Sequence, residues 1–138
     1  MALNKFKSFP RYAKGIIFIY TLGFLVMMIY HIGSVLEYGF TAREVALPIE
    51  FWYDALGFLL VPITIVLLYA RPITGINTTM GVMLITFILD ALVRFIIQDE
   101  SYANWFYYFE ISFAIVVLAT YPFMRYMIRT HNKNTQYA

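Results

Sequence analysis

The sequence predicts an all-α integral membrane protein, a bundle of four antiparallel transmembrane helices. Three observations predict it. The 138-residue chain is 62% hydrophobic and 13% charged, whereas a soluble domain carries roughly one quarter charged residues. Its apolar residues collect in four segments, 15–36, 47–70, 74–97 and 104–127. Each is long enough to cross a bilayer, which takes about 20 helical residues at about 1.5 Å rise. The third observation is that basic residues flank these segments almost entirely on one side.

Residues 1–14, "MALNKFKSFPRYAK", form a basic segment with interleaved aromatic rings, a composition suited to an anionic lipid surface. Its charge precedes the first apolar run as in a secretory signal. That run is too long, however, and no small-residue cleavage site follows it, so a retained helix is expected. Gly15, Gly23 and Gly33 recur through the first span and allow close helix approach, although no pair has the four-residue spacing of a strict dimerisation motif. Trp52 and Tyr53 mark the outer start of the second span, and Tyr102, Trp105, Tyr107 and Tyr108 that of the fourth, at headgroup depth. Pro62 and Pro122 each remove one backbone donor inside a span.

The connections "EYGFTAREVA", "RPITGIN" and "QDESYA" are short, so consecutive helices are expected to be antiparallel neighbours with no second domain. Residues 128–138 read as a polar cytoplasmic tail that frays. With alternating spans, Lys5, Lys7, Arg11, Lys14, Arg71, Arg125, Arg129 and Lys133 share one side and Arg43 stands on the other. The positive-inside rule then puts both termini in the cytoplasm, with a bacterial-type inner (plasma) membrane as the expected location. The net charge of +2 reflects these flanks rather than a nucleic-acid surface. There is no cysteine, hence no disulfide, thiolate metal site or cysteine nucleophile.

Charges inside the spans carry the functional signal. "MGVMLITFILDALVRFIIQDE" contains Asp90 and Arg94 at i, i+4, with Thr86 one turn below. A charge at bilayer depth costs several kcal/mol unless paired or wetted, so this face is expected to point into the bundle. The first span holds His31, the second Glu50 and Asp54, and the fourth Glu110. Counted from the outer span ends, His31, Asp54, Asp90 and Glu110 fall in one layer roughly 8 to 11 Å deep. Arg94 and Glu50 lie about one turn above it as a rim. The inner halves hold no acid or histidine, which describes an outward-facing acidic cup on an apolar floor. Four carboxylates facing Arg94 and one imidazole leave excess negative charge, which raises a carboxyl pKa or recruits a cation.

Three function classes fit the cup. The leading one is transporter-like binding of protons or a small cation. The second is acid-base catalysis on a lipid or isoprenoid by Asp54, Asp90 and Glu110, with His31 as relay. The third is an accessory subunit or partner-binding protein of a larger membrane complex, with a homo-oligomer as a further possibility. A metal on His31, Asp54, Asp90 and Glu110 is a weaker reading, because no Glu-x-x-His or His-Glu-x-x-His spacing exists. The sequence names no cofactor. Haem would need His31 twice, across a dimer, and Met27, Met28, Met80 and Met83 read as packing residues rather than copper ligands.

Overall fold

The Pro10 carbonyl accepts the Lys14 amide at 3.1 Å, so the first helix starts at once behind a proline. The structure, a computed structural model, describes residues 9–38, 48–97 and 105–136. They form four helices: α1 (Arg11–Tyr38), α2 (Pro48–Ala70), α3 (Pro72–Ile97) and α4 (Trp105–Gln136). No strand occurs among the described residues. The helices overlap the four apolar segments. α4 runs to Gln136, so the tail expected to fray is helical to that point.

The α2–α3 junction is tighter than the sequence suggests. Arg71 donates its amide to the Leu67 carbonyl at 2.8 Å and accepts the Gly75 amide at 2.8 Å, so one residue closes one helix and caps the next. Pro72 has no amide to continue the α2 ladder, and its fixed φ suits the first position of a new helix. The segment "RPITGIN", expected to be a loop, is therefore helical from Pro72 onward.

Cross-helix contacts give the topology. Phe9 meets His131, Tyr20 meets Thr120, Phe24 meets Phe113 and Tyr30 meets Phe106, so α1 and α4 are antiparallel. Thr21 reaches Tyr69, joining α1 to α2. Asn77 reaches Tyr121, joining α3 to α4. The base of the bundle thus holds the start of α1, the α2–α3 junction and the end of α4. The top holds the opposite ends.

One seam per helix builds the core. On α1 it is Ala13, Ile17, Tyr20, Phe24, Met27 and His31; on α4 it is Phe106, Glu110, Phe113, Val117, Met124 and Ile128. Val61, Thr64 and Leu68 supply it from α2, and Ile76, Thr79 and Met83 from α3. Steps alternate between three and four residues except for the longer step on α4, the spacing that keeps one face turned inward in a left-handed bundle. Helices approach closely where a side chain is missing. A Cβ on Gly75 would stand 2.5 Å from the Leu68 amide nitrogen, and one on Gly23 would overlap the Phe113 ring. Gly15 and Gly33, expected to serve the same purpose, have nothing within 4 Å of a Cβ.

Among the described residues, large apolar side chains are also exposed on the outer surface. Phe18, Ile29, Leu59, Val66, Phe87, Ile88, Ile115 and Phe123 are all exposed, and they come from all four helices. Two helices are long and apolar enough to cross a membrane, through Arg11–Gly33 and Tyr108–His131. Shorter apolar stretches run through Gly57–Ala70 and Pro72–Ile88.

Candidate functional site

At the top of the α1 seam, where the step pattern calls for an apolar side chain, stands His31, 2% exposed. Its ring packs against α2 at Gly57. A Cβ there would come within 2.7 Å of His31 Cδ2 and 2.9 Å of Nε2. Glycine is what lets the imidazole reach the helix backbone at this level. Sequence reasoning missed Gly57, although it lies one turn from Asp54 in α2.

An aromatic collar surrounds the imidazole. Tyr30 stacks on Phe106 with centroids 3.5 Å apart and planes 5° apart, and Phe106 presents its edge to His31 at 6.0 Å. Trp105 closes on Tyr30 edge-on at 6.1 Å. Trp105 and Tyr108 face outward, as amphipathic rings at a depth boundary would, whereas Phe106 is buried.

Glu110 is the second titratable group of the layer, 6% exposed on the α4 seam between Phe106 and Phe113. It stands one turn from Phe106, about 6 Å nearer the base. Side chains tilt toward the N-terminus of their own helix. On antiparallel neighbours that tilt sends His31 toward the base and Glu110 toward the top, so the two converge. Both have partners in the fold. The structure thus puts these two predicted residues on facing seams of adjacent helices, about one turn apart.

The side chains of Glu50, Asp54, Asp90 and Arg94 lie outside the described residues, although all four belong to α2 or α3. Register is legible from the helices themselves. Continuing the α2 seam from Leu68, Thr64 and Val61 toward the top reaches positions 57, 54 and 50. Continuing the α3 seam from Ile76, Thr79 and Met83 reaches 86 and 90. Among the described residues no three His, Cys, Asp or Glu gather as a metal site.

Beneath the layer the seam is filled with Phe24, Met27, Val61, Met83, Phe113 and Val117, all buried. Among the described residues, the seam's polar groups at and below this depth are hydroxyls. Tyr20 and Thr120 share a hydrogen bond of 2.6 Å, and Thr21 and Tyr69 share one of 2.9 Å. Thr64 and Thr79 donate to the carbonyls of Leu60 and Gly75 one turn back, at 2.6 and 2.9 Å. These groups are neutral and satisfied within the bundle. An imidazole and a carboxyl brought together in this way can take up, share or release a proton, or hold a cation. Compared with known proteins, the chain matches no family model, no curated protein sequence and no solved structure.

Proposed function

We propose that this chain is a small four-span membrane protein whose outward-facing acidic cup, formed by His31, Asp54, Asp90 and Glu110 with Arg94 and Glu50 at its rim, binds protons or a small cation. The observation that carries this reading is the burial of His31 and Glu110 on facing seams, two ionisable groups where the step pattern calls for apolar ones. The seam registers of α2 and α3, continued upward, fall on Asp54 and Asp90, which supports a four-helix contribution. The packed plug of Phe24, Met27, Val61, Met83, Phe113 and Val117 below supports a cup over a path through the bundle.

Membrane embedding is supported by the apolar surface on all four helices. A water-soluble bundle of this size would expose polar residues there. The distribution of charge supports the orientation, because Arg11, Lys14, Arg71, Arg125 and Arg129 all belong to the base. The base is then cytoplasmic and the cup opens outward.

The test is Glu110→Gln in the full-length protein purified in detergent. The amide keeps hydrogen-bonding capacity but neither releases a proton nor carries charge. Wild type melts at higher temperature as sodium or lithium is added, because a ligand that binds only the folded state stabilises it. The variant folds with a similar melting temperature in the absence of cation, and its cation affinity falls about tenfold or more, since a hydrogen bond or contact to a charged group is worth about 1.5–3 kcal/mol. An unchanged cation response together with a lower melting temperature would make the layer a structural network and put the accessory-subunit reading in front.

A further inference from the structure

The base of the bundle carries a separate feature, a cleft of about 780 Å³ between the start of α3 and the last turns of α4. Ile73 lines it from α3, and Tyr121, Arg125, Tyr126, Arg129 and Thr130 line it from α4. Arg125 and Arg129 are four residues apart and so share one helical face. The cleft is about 22 Å along α4 from Glu110 and shares no residue with the cup.

The Arg125 guanidinium is held from one side. Its Nη1 donates to the Tyr121 hydroxyl at 3.2 Å, and that hydroxyl donates to Asn77 Oδ1 at 3.0 Å. Its Nε is buried and has no acceptor among the described residues. The chain offers this end no carboxylate side chain: no Asp or Glu occurs between Asp54 and Asp90, or after Glu110. α3 adds to the positive field, since in its first turn the amides of Ile73 and Thr74 have no acceptor within the helix. A half-buried guanidinium with an unmet donor, a second guanidinium one turn away and no internal counter-charge call for an anion from outside.

We propose that this cleft binds a phosphate-ester group, with Arg125 and Arg129 as its ligands. Guanidinium forks match the oxygens of phosphate and hold them with paired charge-assisted hydrogen bonds. Basic pockets between helices at a cytoplasmic membrane face take lipid headgroups by this chemistry. The cleft is larger than an inorganic ion requires. From its wall at Pro122, exposed Leu118 and Ile115 continue along the outside of α4 as an apolar track. That shape suits an anionic headgroup whose acyl chain lies on the helix. The lipid source rests on the membrane reading given above; a free phosphate ester does not.

Melting curves of the full-length protein, stripped of lipid in a neutral detergent, test the proposal with three probes: dioctanoyl phosphatidylglycerol, dioctanoyl phosphatidylcholine and glycerol 3-phosphate. Stabilisation by phosphatidylglycerol alone identifies a lipid headgroup, and stabilisation by glycerol phosphate at comparable concentration identifies a free ester. Arg129→Gln, at an exposed position that leaves the fold intact, weakens the effective probe about tenfold, the value of one hydrogen bond between charged partners. Arg125→Lys keeps the charge but loses the fork, and also weakens it. Arg11→Gln removes the same charge from the base outside the cleft and changes affinity by less than about twofold, as expected for a screened surface charge. Equal loss with Arg11→Gln and Arg129→Gln, stabilisation by phosphatidylcholine equal to that by phosphatidylglycerol, or no stabilisation by any probe overturns the proposal.

Discussion

The top and the base of the bundle solve the problem of buried polarity in opposite ways. Below the layer the polar groups described in the seam are hydroxyls, and each finds its partner inside the bundle: Tyr20 with Thr120, Thr21 with Tyr69, Thr64 and Thr79 with carbonyls of their own helices. At the top the seam carries His31 and Glu110 instead. A hydroxyl that bonds to its own helix is cheap to bury and has the same charge at any physiological pH. An imidazole or a carboxyl is costly to bury in its charged form and changes state with pH. The hydroxyls below therefore have the character of helix stitching, whereas the ionisable pair at the top is the part of the seam that the proposed binding role uses.

The largest expected effect comes from substituting the two glycines that mark these regions. Gly75→Ala drives a methyl group into the backbone of α2, at 2.5 Å from the Leu68 amide nitrogen and 2.6 Å from its Cα. No side chain can move aside, so α2 and α3 must separate, at a cost of about 3 kcal/mol. Gly57→Ala meets the His31 ring rather than backbone. It costs less, about 1–2 kcal/mol, because a displaced side chain relieves the clash. Only Gly57→Ala, however, also weakens the cation response. Thermal or denaturant unfolding in detergent, with and without cation, separates the two. If Gly75→Ala weakens cation binding as much as Gly57→Ala does, the division between base and top fails.

These two glycines also show what was legible in the sequence. The four helices are plain from four long apolar runs, because length and composition suffice for that inference. Burial of His31 and Glu110 follows from the cost of leaving a charge-bearing group among lipid-like side chains, and the structure places both on inward seams. Gly57 and Gly75 carry no such signal. Whether a glycine marks a close approach depends on which residue of another helix stands opposite, and that is set by register between helices. The same holds for Tyr20 and Thr120, which are 100 residues apart in the chain. Gly15 and Gly33 show the converse, small residues that face outward and meet nothing. Arg125 and Arg129 read naturally as markers of the cytoplasmic side. Their further role shows only when Asn77 and Tyr121 are seen to hold one edge of the Arg125 guanidinium.

A smaller effect is expected at the Tyr20–Thr120 pair. Tyr20→Phe and Thr120→Val each remove one hydroxyl from a hydrogen bond of 2.6 Å between α1 and α4. Interhelical hydrogen bonds of this kind are worth about 0.6 kcal/mol on average in membrane proteins, and the coupling in a double-mutant cycle should fall near that value. Cation affinity stays unchanged in all three variants, since Tyr20 lies about 16 Å below His31 along α1. Loss of cation binding in Tyr20→Phe would mean that these hydroxyls and the cup belong to one connected site. The apolar plug of Phe24, Met27 and Phe113 would then have to open.

The smallest effect is expected on the outside of α1 near the top. Gly33 follows His31 by two residues, so it lies on roughly the opposite face of the helix. It is exposed and a Cβ there meets nothing within 4 Å. In the absence of any neighbour, Gly33→Ala removes a flexible backbone position from the interior of a helix and should stabilise the protein by about 0.5–1 kcal/mol. The opposite sign would be informative. A membrane protein that pairs with a second copy through small residues brings the two helix backbones together at the glycines, and a methyl group there pushes them apart. A lower melting temperature, with a shift from dimer to monomer in size-exclusion chromatography, would show that this face of α1 is covered by another molecule. Unchanged migration with a small rise in melting temperature would assign the outside of α1 to lipid, leaving the His31 side as the one face of that helix built for interaction.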